Sequence, residues 1–339
     1  MLMWAWLRTS NMETAKKWGK RIIIITAVTG GITYGVVSVY NKVKREKELK
    51  TEEQKKLKNS FDIYTEIQRN CYTTVSDLLC RINDIIKNEL KTESITAQLK
   101  ENPTNKIALW ESLKIASFSS SVLSVCVSSM IIILIRYQLS IISAALCCLG
   151  NRMTKEQEKL YLLMMCQMFE EGLVDLISEV KRTTETVMMS YSLKHSLTIN
   201  LITAIINNII TQSSSRSLTD YWLLRYMKRN EGTGTAPGEI TDLILATEDA
   251  IDIGDTQTIL TELINSSLSY YSLLINDSFH SAAQSSGALP LARVIPLLCD
   301  HSVLFLDSQH NKYLKEMVDD FNLMSCSRNI FEAFSKGLN

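Results

Sequence analysis

The residues of this sequence that could support catalysis or bind a metal are its histidines and its paired carboxylates. The histidines lie in neither the HExxH nor the HxH spacing of a metal site. They are His195, His280, His301 and His310. Glu170 and Glu171 are adjacent, so on a helix their carboxylates lie about 100° apart and do not face each other as an acid and a base would. These residues predict no catalytic site, no metal and no cofactor.

Short motifs that hold phosphates or activate a nucleophile are missing as well. The sequence has no GxxxxGK[ST], no GxGxxG after a strand and no GxSxG. Together with the histidine spacing, this favours a binding protein over an enzyme.

The cysteines indicate a reducing compartment. Most of the eight lie inside apolar helical runs, and no pair has CxxC spacing. The adjacent Cys147 and Cys148 point to different faces of a helix, which disfavours a zinc site or a redox dithiol. We therefore expect free thiols in a cytosolic domain.

One helical face combines aromatic, apolar and cationic side chains. Lys106, Trp110 and Leu113 follow one another at i, i+4 and i+7, and Leu109 and Lys114 flank them. Periodicity alone slightly favours core packing for this face, because most helical tryptophans are buried. The alternative is a docking site for an acidic amphipathic helix, in which Trp110 anchors apolar residues and lysines form the rim.

The composition predicts the elements that position this face. The 36 basic and 36 acidic residues balance, so nothing suggests the basic stripe of a nucleic-acid-binding domain. Twelve glycines and four prolines are few for 339 residues, and 46% hydrophobic residues are enough for a large core. The predicted fold class is all-α.

Two apolar stretches need separate interpretation. The first, Ile22 to Tyr40, carries no charge and is long enough to cross a bilayer, which predicts a single transmembrane helix. Basic residues flank both of its ends, so the positive-inside rule favours neither orientation. The second, Val122 to Gly150, contains Arg136 near its middle and several serines. We interpret it as a central core helix, with Arg136 paired or reaching solvent at an edge.

After a Lys- and Glu-rich helical stem at 41–60, apolar residues recur at three- and four-residue spacing. This spacing predicts helical segments at 60–100, 104–148, 155–212, 215–229, 239–276, 288–307 and 310–336. A break at Asn102-Pro103 separates the first two, with Thr104 or Asn105 as the cap of the helix that follows.

Several long motifs resemble the peroxin-3 family of peroxisomal membrane docking factors. SITAQLKENPTNKIALWESLKIASF at 94–118 is followed by IIILIRYQLSII at 131–142. GLVDLI at 172–177, SLKHSL at 192–197, LPLARVIP at 289–296 and FEAFS at 331–335 then match the same family in the same order. The resemblance covers most of the chain.

The resemblance implies a partner and a binding site. In that family the partner is peroxin-19, a soluble chaperone for membrane proteins, whose N-terminal amphipathic helix enters a hydrophobic groove. Carried over by motif, the groove residues are Leu99, Lys100, Lys106, Trp110, Leu113, Lys114, Pro290 and Arg293. The family usually has Lys where this chain has Arg293, which keeps the charge and changes its geometry.

The resemblance also implies a topology. Residues 1–21 would face the peroxisome interior, 22–40 would cross the membrane, 41–60 would form the stem, and 61–339 would be a cytosolic helical domain. The implied function is a peroxisomal docking receptor that contacts membrane lipid, receives peroxin-19 and serves membrane-protein cargo indirectly, with no nucleic acid involved. The alternative is a membrane tether or adaptor that recruits organelle inheritance or degradation factors through another face.

Overall fold

The computed structural model describes residues 59–101, 103–149, 155–213, 238–283 and 287–337. The predicted membrane helix at 22–40 lies outside these residues, as do the segment 1–21, nearly all of the stem and the predicted helix at 215–229.

Within the described ranges the chain is almost entirely helical, which confirms the all-α fold class. In chain order the elements are α1 (59–68), α2 (Cys71–Leu90), α3 (Thr92–Lys100), α4 (Lys106–Leu149), α5 (Lys155–Met188), β1 (Ser196–Leu197), α6 (Ile199–Ser213), α7 (Gly238–Ile251), α8 (Gly254–Ala283), β2 (Leu289–Pro290), α9 (Leu291–Leu306), α10 (Leu314–Val318) and α11 (Phe321–Gly337). The two short strands pair antiparallel, with Ser196 opposite Pro290.

Helix α4 is the axis of the fold. Its 44 residues make it about 66 Å long at 1.5 Å per residue. Every residue from 116 to 145 is buried, and helices α2, α3 and α5 to α11 all pack against it. A helix that is apolar nearly all round is stable in water only when other helices cover it, and here they do.

By length and composition, the described residues contain one helix that could cross a membrane, Lys106–Cys147 within α4. In its most apolar stretch, however, 94% of the residues are buried inside the bundle. That burial is the property of a core helix.

Arg136 is buried on α4 and fully engaged. Its Nε and Nη2 donate to the Val318 carbonyl at 3.1 and 2.7 Å, and its Nη1 donates to Gln68 Oε1 at 2.9 Å. Nη2 also donates to Asp319 Oδ1 at 2.9 Å, and the Asp319 side chain is 50% exposed. The prediction that Arg136 is paired is confirmed.

The serines scattered along α4 explain how so apolar a helix keeps one register. Ser121 Oγ lies 2.7 Å from the Tyr271 hydroxyl, Ser129 Oγ 2.9 Å from Ser267 Oγ, and Ser140 Oγ 2.6 Å from Ser327 Oγ. All these groups are buried, so sliding α4 along its neighbours would leave hydroxyls without partners.

Four predicted segments are wrong in their continuity. The helix predicted at 60–100 is broken at 69–70 and again at Lys91, which adopts the left-handed conformation at φ 54° and closes α2 through its N–H bond to the Lys87 carbonyl. The helix predicted at 155–212 ends at Met188, and residues 189–198 are irregular apart from β1. The helix predicted at 239–276 is broken at 252–253, and the one predicted at 310–336 begins only at Leu314 and is broken at 319–320. Apolar spacing does not mark where one helix ends and the next begins, so periodicity did not detect these breaks.

Candidate docking surface

The surface predicted from the sequence begins where α3 turns into α4. Helix α3 has no fully buried residue and lies on the outside of the bundle. Leu99 packs partly against the core, whereas Lys100 at the helix end is exposed. The short link that follows returns the chain directly into α4.

Trp110 lies at the point where α4 leaves solvent and enters the core. Lys106 is exposed, Ile107 is 76% exposed, and Trp110 is partly buried and packs against the core. Leu113, one turn later, is only 4% exposed. Trp110 is therefore neither a fully buried core residue nor a fully exposed one: one part of its indole supports the bundle and another remains at the surface.

Lys114 is buried, with 4% of its surface exposed. Its Nζ donates to the carbonyls of Met188 at 3.1 Å and Tyr191 at 2.9 Å, and it lies 2.5 Å from Glu111 Oε2. These partners offset the loss of hydration of the ammonium. Lys114 therefore holds the end of α5 against α4 and does not present its charge to solvent.

The LPLAR stretch reaches the same end of the bundle through the segment after α5. The N–H of Leu291 donates to the His195 carbonyl at 2.8 Å, and the N–H of Ala292 donates to the Leu193 carbonyl at 3.1 Å. Pro290 and Arg293 are both exposed beside this junction.

Residues 188–195 thus connect the two predicted parts of the surface. One end of this segment is bonded to Lys114 of α4, and the other end to the first turn of α9. This segment joins two motifs that are far apart in the sequence, the start of α4 with Trp110 and the LPLAR stretch. We call the region formed by residues 99–101 of α3 and its end, residues 103–113 at the start of α4, and Pro290 to Arg293 the Trp110 surface, and residues 188–195 lie beside it.

Sequence reasoning missed three exposed side chains of this region: Ile107, Met189 and Lys194. Ile107 precedes Trp110 by one helical turn, so its spacing could have identified it. Met189 is 82% exposed and Lys194 is exposed as well, but both lie in a stretch that the sequence predicts as continuous helix. Only the end of α5 at Met188 places them here.

Two titratable groups elsewhere, His301 and Asp307, have structural partners. His301 is buried and bonded to the Leu297 carbonyl at 2.8 Å and to Ser278 Oγ at 3.1 Å. The N–H of Gln309 and the nearby His310 lower the pKa of Asp307. Among the described residues no group of three or more His, Cys, Asp or Glu side chains is placed to hold a metal ion.

The described cysteines are free thiols: Cys71, Cys80, Cys126, Cys147, Cys299 and Cys326. Burial raises the pKa of the Cys71 thiol to about 11 and that of Cys299 to about 12. A thiol with so high a pKa is a poor nucleophile near neutral pH.

One cleft that the described residues form is polar and open to solvent. It has a volume of about 460 Å³ and lies between the end of α2 and the start of α3. Its lining residues are Asp84, Lys87, Asn88, Lys91, Glu93 and Ser94. None of these residues is buried, so the cleft lacks the desolvated acids and bases of an active site.

Comparison with known proteins finds relatives over most of the chain, although no family model matches it. Human peroxisomal biogenesis factor 3 is 30% identical over 307 residues, which cover 79% of this chain and 82% of the human protein. The protein of the same name from Cricetulus longicaudatus is 30% identical over 310 residues, with the same coverage. Peroxisome biogenesis protein 3-2 of Arabidopsis thaliana is 20% identical over 340 residues, which cover 88% of this chain and 92% of the plant protein.

Fold and surface together define a class: an all-α bundle around one buried helix, with apolar and cationic side chains exposed together at one end. The chain belongs to the peroxisomal biogenesis factor 3 family. This confirms the resemblance that the motifs carry and associates the chain with peroxisome biogenesis. The relatives are named as biogenesis factors and not as enzymes.

Proposed function

We propose that the chain is a docking receptor on the peroxisomal membrane and that its Trp110 surface binds the N-terminal amphipathic helix of peroxin-19. The observation that carries this proposal is the position of Trp110, a large aromatic side chain held partly in the core and partly at the surface beside Lys106 and Ile107. Central aromatic residues with polar surroundings dominate the affinity of helix-in-groove interfaces.

The chemistry of the surface supports an acidic amphipathic helix as the occupant. Lys100, Lys106 and Arg293 are exposed cations on three different elements. Leu99 and Trp110 are the partly buried apolar residues among them. An occupant that presents apolar side chains to Trp110 and carboxylates to the cations would match both properties.

Leu113 and Lys114 have supporting roles in this proposal. Leu113 packs beneath the surface and fixes the first turns of α4. Lys114 bonds the end of α5 to α4 and so determines where the segment 188–195 lies. Neither needs to touch the partner to affect binding.

In the full proposal the segment 22–40 anchors the chain in the peroxisomal membrane, with 1–21 in the interior and the bundle in the cytosol. Lipid contact would be confined to the anchor and its basic margins, and cargo would be contacted indirectly, through peroxin-19. This topology rests on the hydropathy of the sequence and on family membership.

The test is a paired measurement on Trp110→Ala in the full-length chain. Binding of a labelled peroxin-19 N-terminal peptide should weaken about 30- to 1000-fold, as for a central aromatic anchor. Truncation of a fully buried tryptophan to alanine lowers the free energy of unfolding by about 3 to 5 kcal/mol. Because Trp110 is only partly buried, we expect roughly half of that loss. A lower melting temperature with unchanged peptide affinity would refute the proposed site.

Arg293→Glu is the companion variant, because Arg293 is distant in sequence and exposed on the same surface. Reversal of this charge should slow peptide association more at low salt than at high salt. Lys315→Glu, an equally exposed charge reversal on α10, is the matched control and should leave association unchanged.

One observation supports a second candidate function, that of a tether or adaptor. Phe321 is 82% exposed and Met324 is 44% exposed, one turn apart on α11. Asp319, just before them, bonds Arg136 of α4, which lies roughly 40 Å along the helix from Trp110 at 1.5 Å per residue. A partner that Phe321→Ala releases while the peroxin-19 peptide still binds would establish this second surface.

A further inference from the structure

We infer that the segment 188–195 is a third wall of the Trp110 surface, and that Met189 and Lys194 contact the acidic amphipathic helix and help to select it. This inference rests on the proposed docking function and adds two residues to it. Its basis is the placement of the segment between α4 and α9 together with the exposure of these two side chains.

The position of the segment is fixed from both sides. At one end, the Lys114 ammonium of α4 donates to the carbonyls of both Met188 and Tyr191. At the other end, Leu193 and His195 receive the N–H groups of the first turn of α9. Tyr191 also packs against the core and stacks edge-on with the His195 ring, with centroids 5.4 Å apart. A segment held in this way is a preorganised wall.

The outward side chains of the segment differ in chemistry. Met189 has 82% of its surface exposed directly after the end of α5, although a large apolar side chain gains free energy from burial. A thioether on three rotatable bonds adapts to apolar partners of different shape. Met189 is therefore suited to the apolar face of a docked helix.

Lys194 supplies the complementary charge. It lies between the two residues whose carbonyls bond the backbone of α9, so its backbone runs directly beside the turn that carries Arg293. With Lys100, Lys106 and Arg293 it adds a further exposed cation around the same region. Charge complementarity therefore favours an acidic helix as the occupant. A second copy of the chain would present the same cations and would be repelled.

The test measures the affinity of full-length protein in detergent micelles for the labelled peroxin-19 N-terminal peptide. We expect Met189→Glu to weaken binding about tenfold, because it places a carboxylate against the apolar, acidic helix. Lys194→Glu should weaken binding several-fold at low salt and less at high salt. Met189→Leu and Lys194→Arg should bind like the wild type, because they keep the apolar surface and the charge.

Matched controls introduce a glutamate at an exposed apolar residue and at an exposed lysine far from the segment 188–195. Leu163→Glu and Lys159→Glu, both in the first turns of α5, alter exposed residues remote from Lys114, and neither should change the affinity. Because all four sites are exposed, melting temperatures should stay close to that of the wild type.

The outcomes separate this inference from the proposed function. If Met189→Glu and Lys194→Glu bind like the controls while Trp110→Ala binds weakly, the third wall is refuted and the docking site stands. If wild type and Trp110→Ala bind the peptide equally, both the docking site and its third wall are refuted.

Discussion

Replacement of Arg136 by Met tests whether the buried guanidinium network stabilises the bundle around α4. Arg136 makes hydrogen bonds to Val318, Gln68 and Asp319 from within the buried stretch of α4. Methionine occupies a similar volume and suits an apolar environment, so the change removes hydrogen bonds with little loss of packing.

The expected cost follows from the acceptors left behind. The Val318 carbonyl and Gln68 Oε1 belong to buried residues, and each loses its guanidinium donor. A buried group without a partner costs about 1 to 3 kcal/mol, which gives about 2 to 6 kcal/mol for the two. Asp319 is half exposed and returns to water, so its ion pair adds little.

Thermal unfolding of the full-length chain, followed by circular dichroism, measures this cost. A domain of this size loses about 2 to 4 °C of melting temperature per kcal/mol, so the drop should be at least roughly 4 °C. Arg69→Met is the control, because its ion pair with Glu66 is exposed at 71% and 70% and should contribute little. An Arg136→Met protein that melts within 1 °C of the wild type would show that the guanidinium network does not stabilise the bundle.

Three further predictions use other features of the chain. Gln138 is fully buried, and neither of its amide atoms has a hydrogen-bond partner among the described residues. Gln138→Met should therefore raise the free energy of unfolding, measured by chemical denaturation, by about 1 to 3 kcal/mol. Gln68→Met should lower it, because Gln68 is hydrogen-bonded. Thiol labelling at pH 8 should modify the exposed Cys80 before Cys71, whose pKa burial raises to about 11 and which should react only as the pH rises toward that value or the chain unfolds. Deletion of residues 1–40 should leave a helical fragment that alkaline carbonate extracts from membranes, and retention of that fragment would contradict a single N-terminal anchor.

The sequence by itself determined the fold class and the family. Apolar spacing and the scarcity of glycine and proline are local properties, and they suffice to predict helices. The charge at Arg136 inside an apolar run was enough to predict a core helix with Arg136 either paired or reaching solvent at an edge, because a buried unpaired guanidinium would be too costly in a core or a membrane. The family motifs are likewise contiguous in the sequence and needed no structure to be identified.

Only the tertiary structure decided how the predicted site residues divide between surface and support. The spacing placed Trp110, Leu113 and Lys114 on or beside one face, yet Trp110 remains partly exposed while Lys114 is buried against the carbonyls of Met188 and Tyr191. These carbonyls belong to a helix end that periodicity did not predict. The same helix end leaves Met189 and Lys194 exposed beside this surface. Whether a residue is buried depends on which distant segment covers it. The local pattern of side chains does not show which segment that is, because the covering contacts here are made by backbone carbonyls far along the chain.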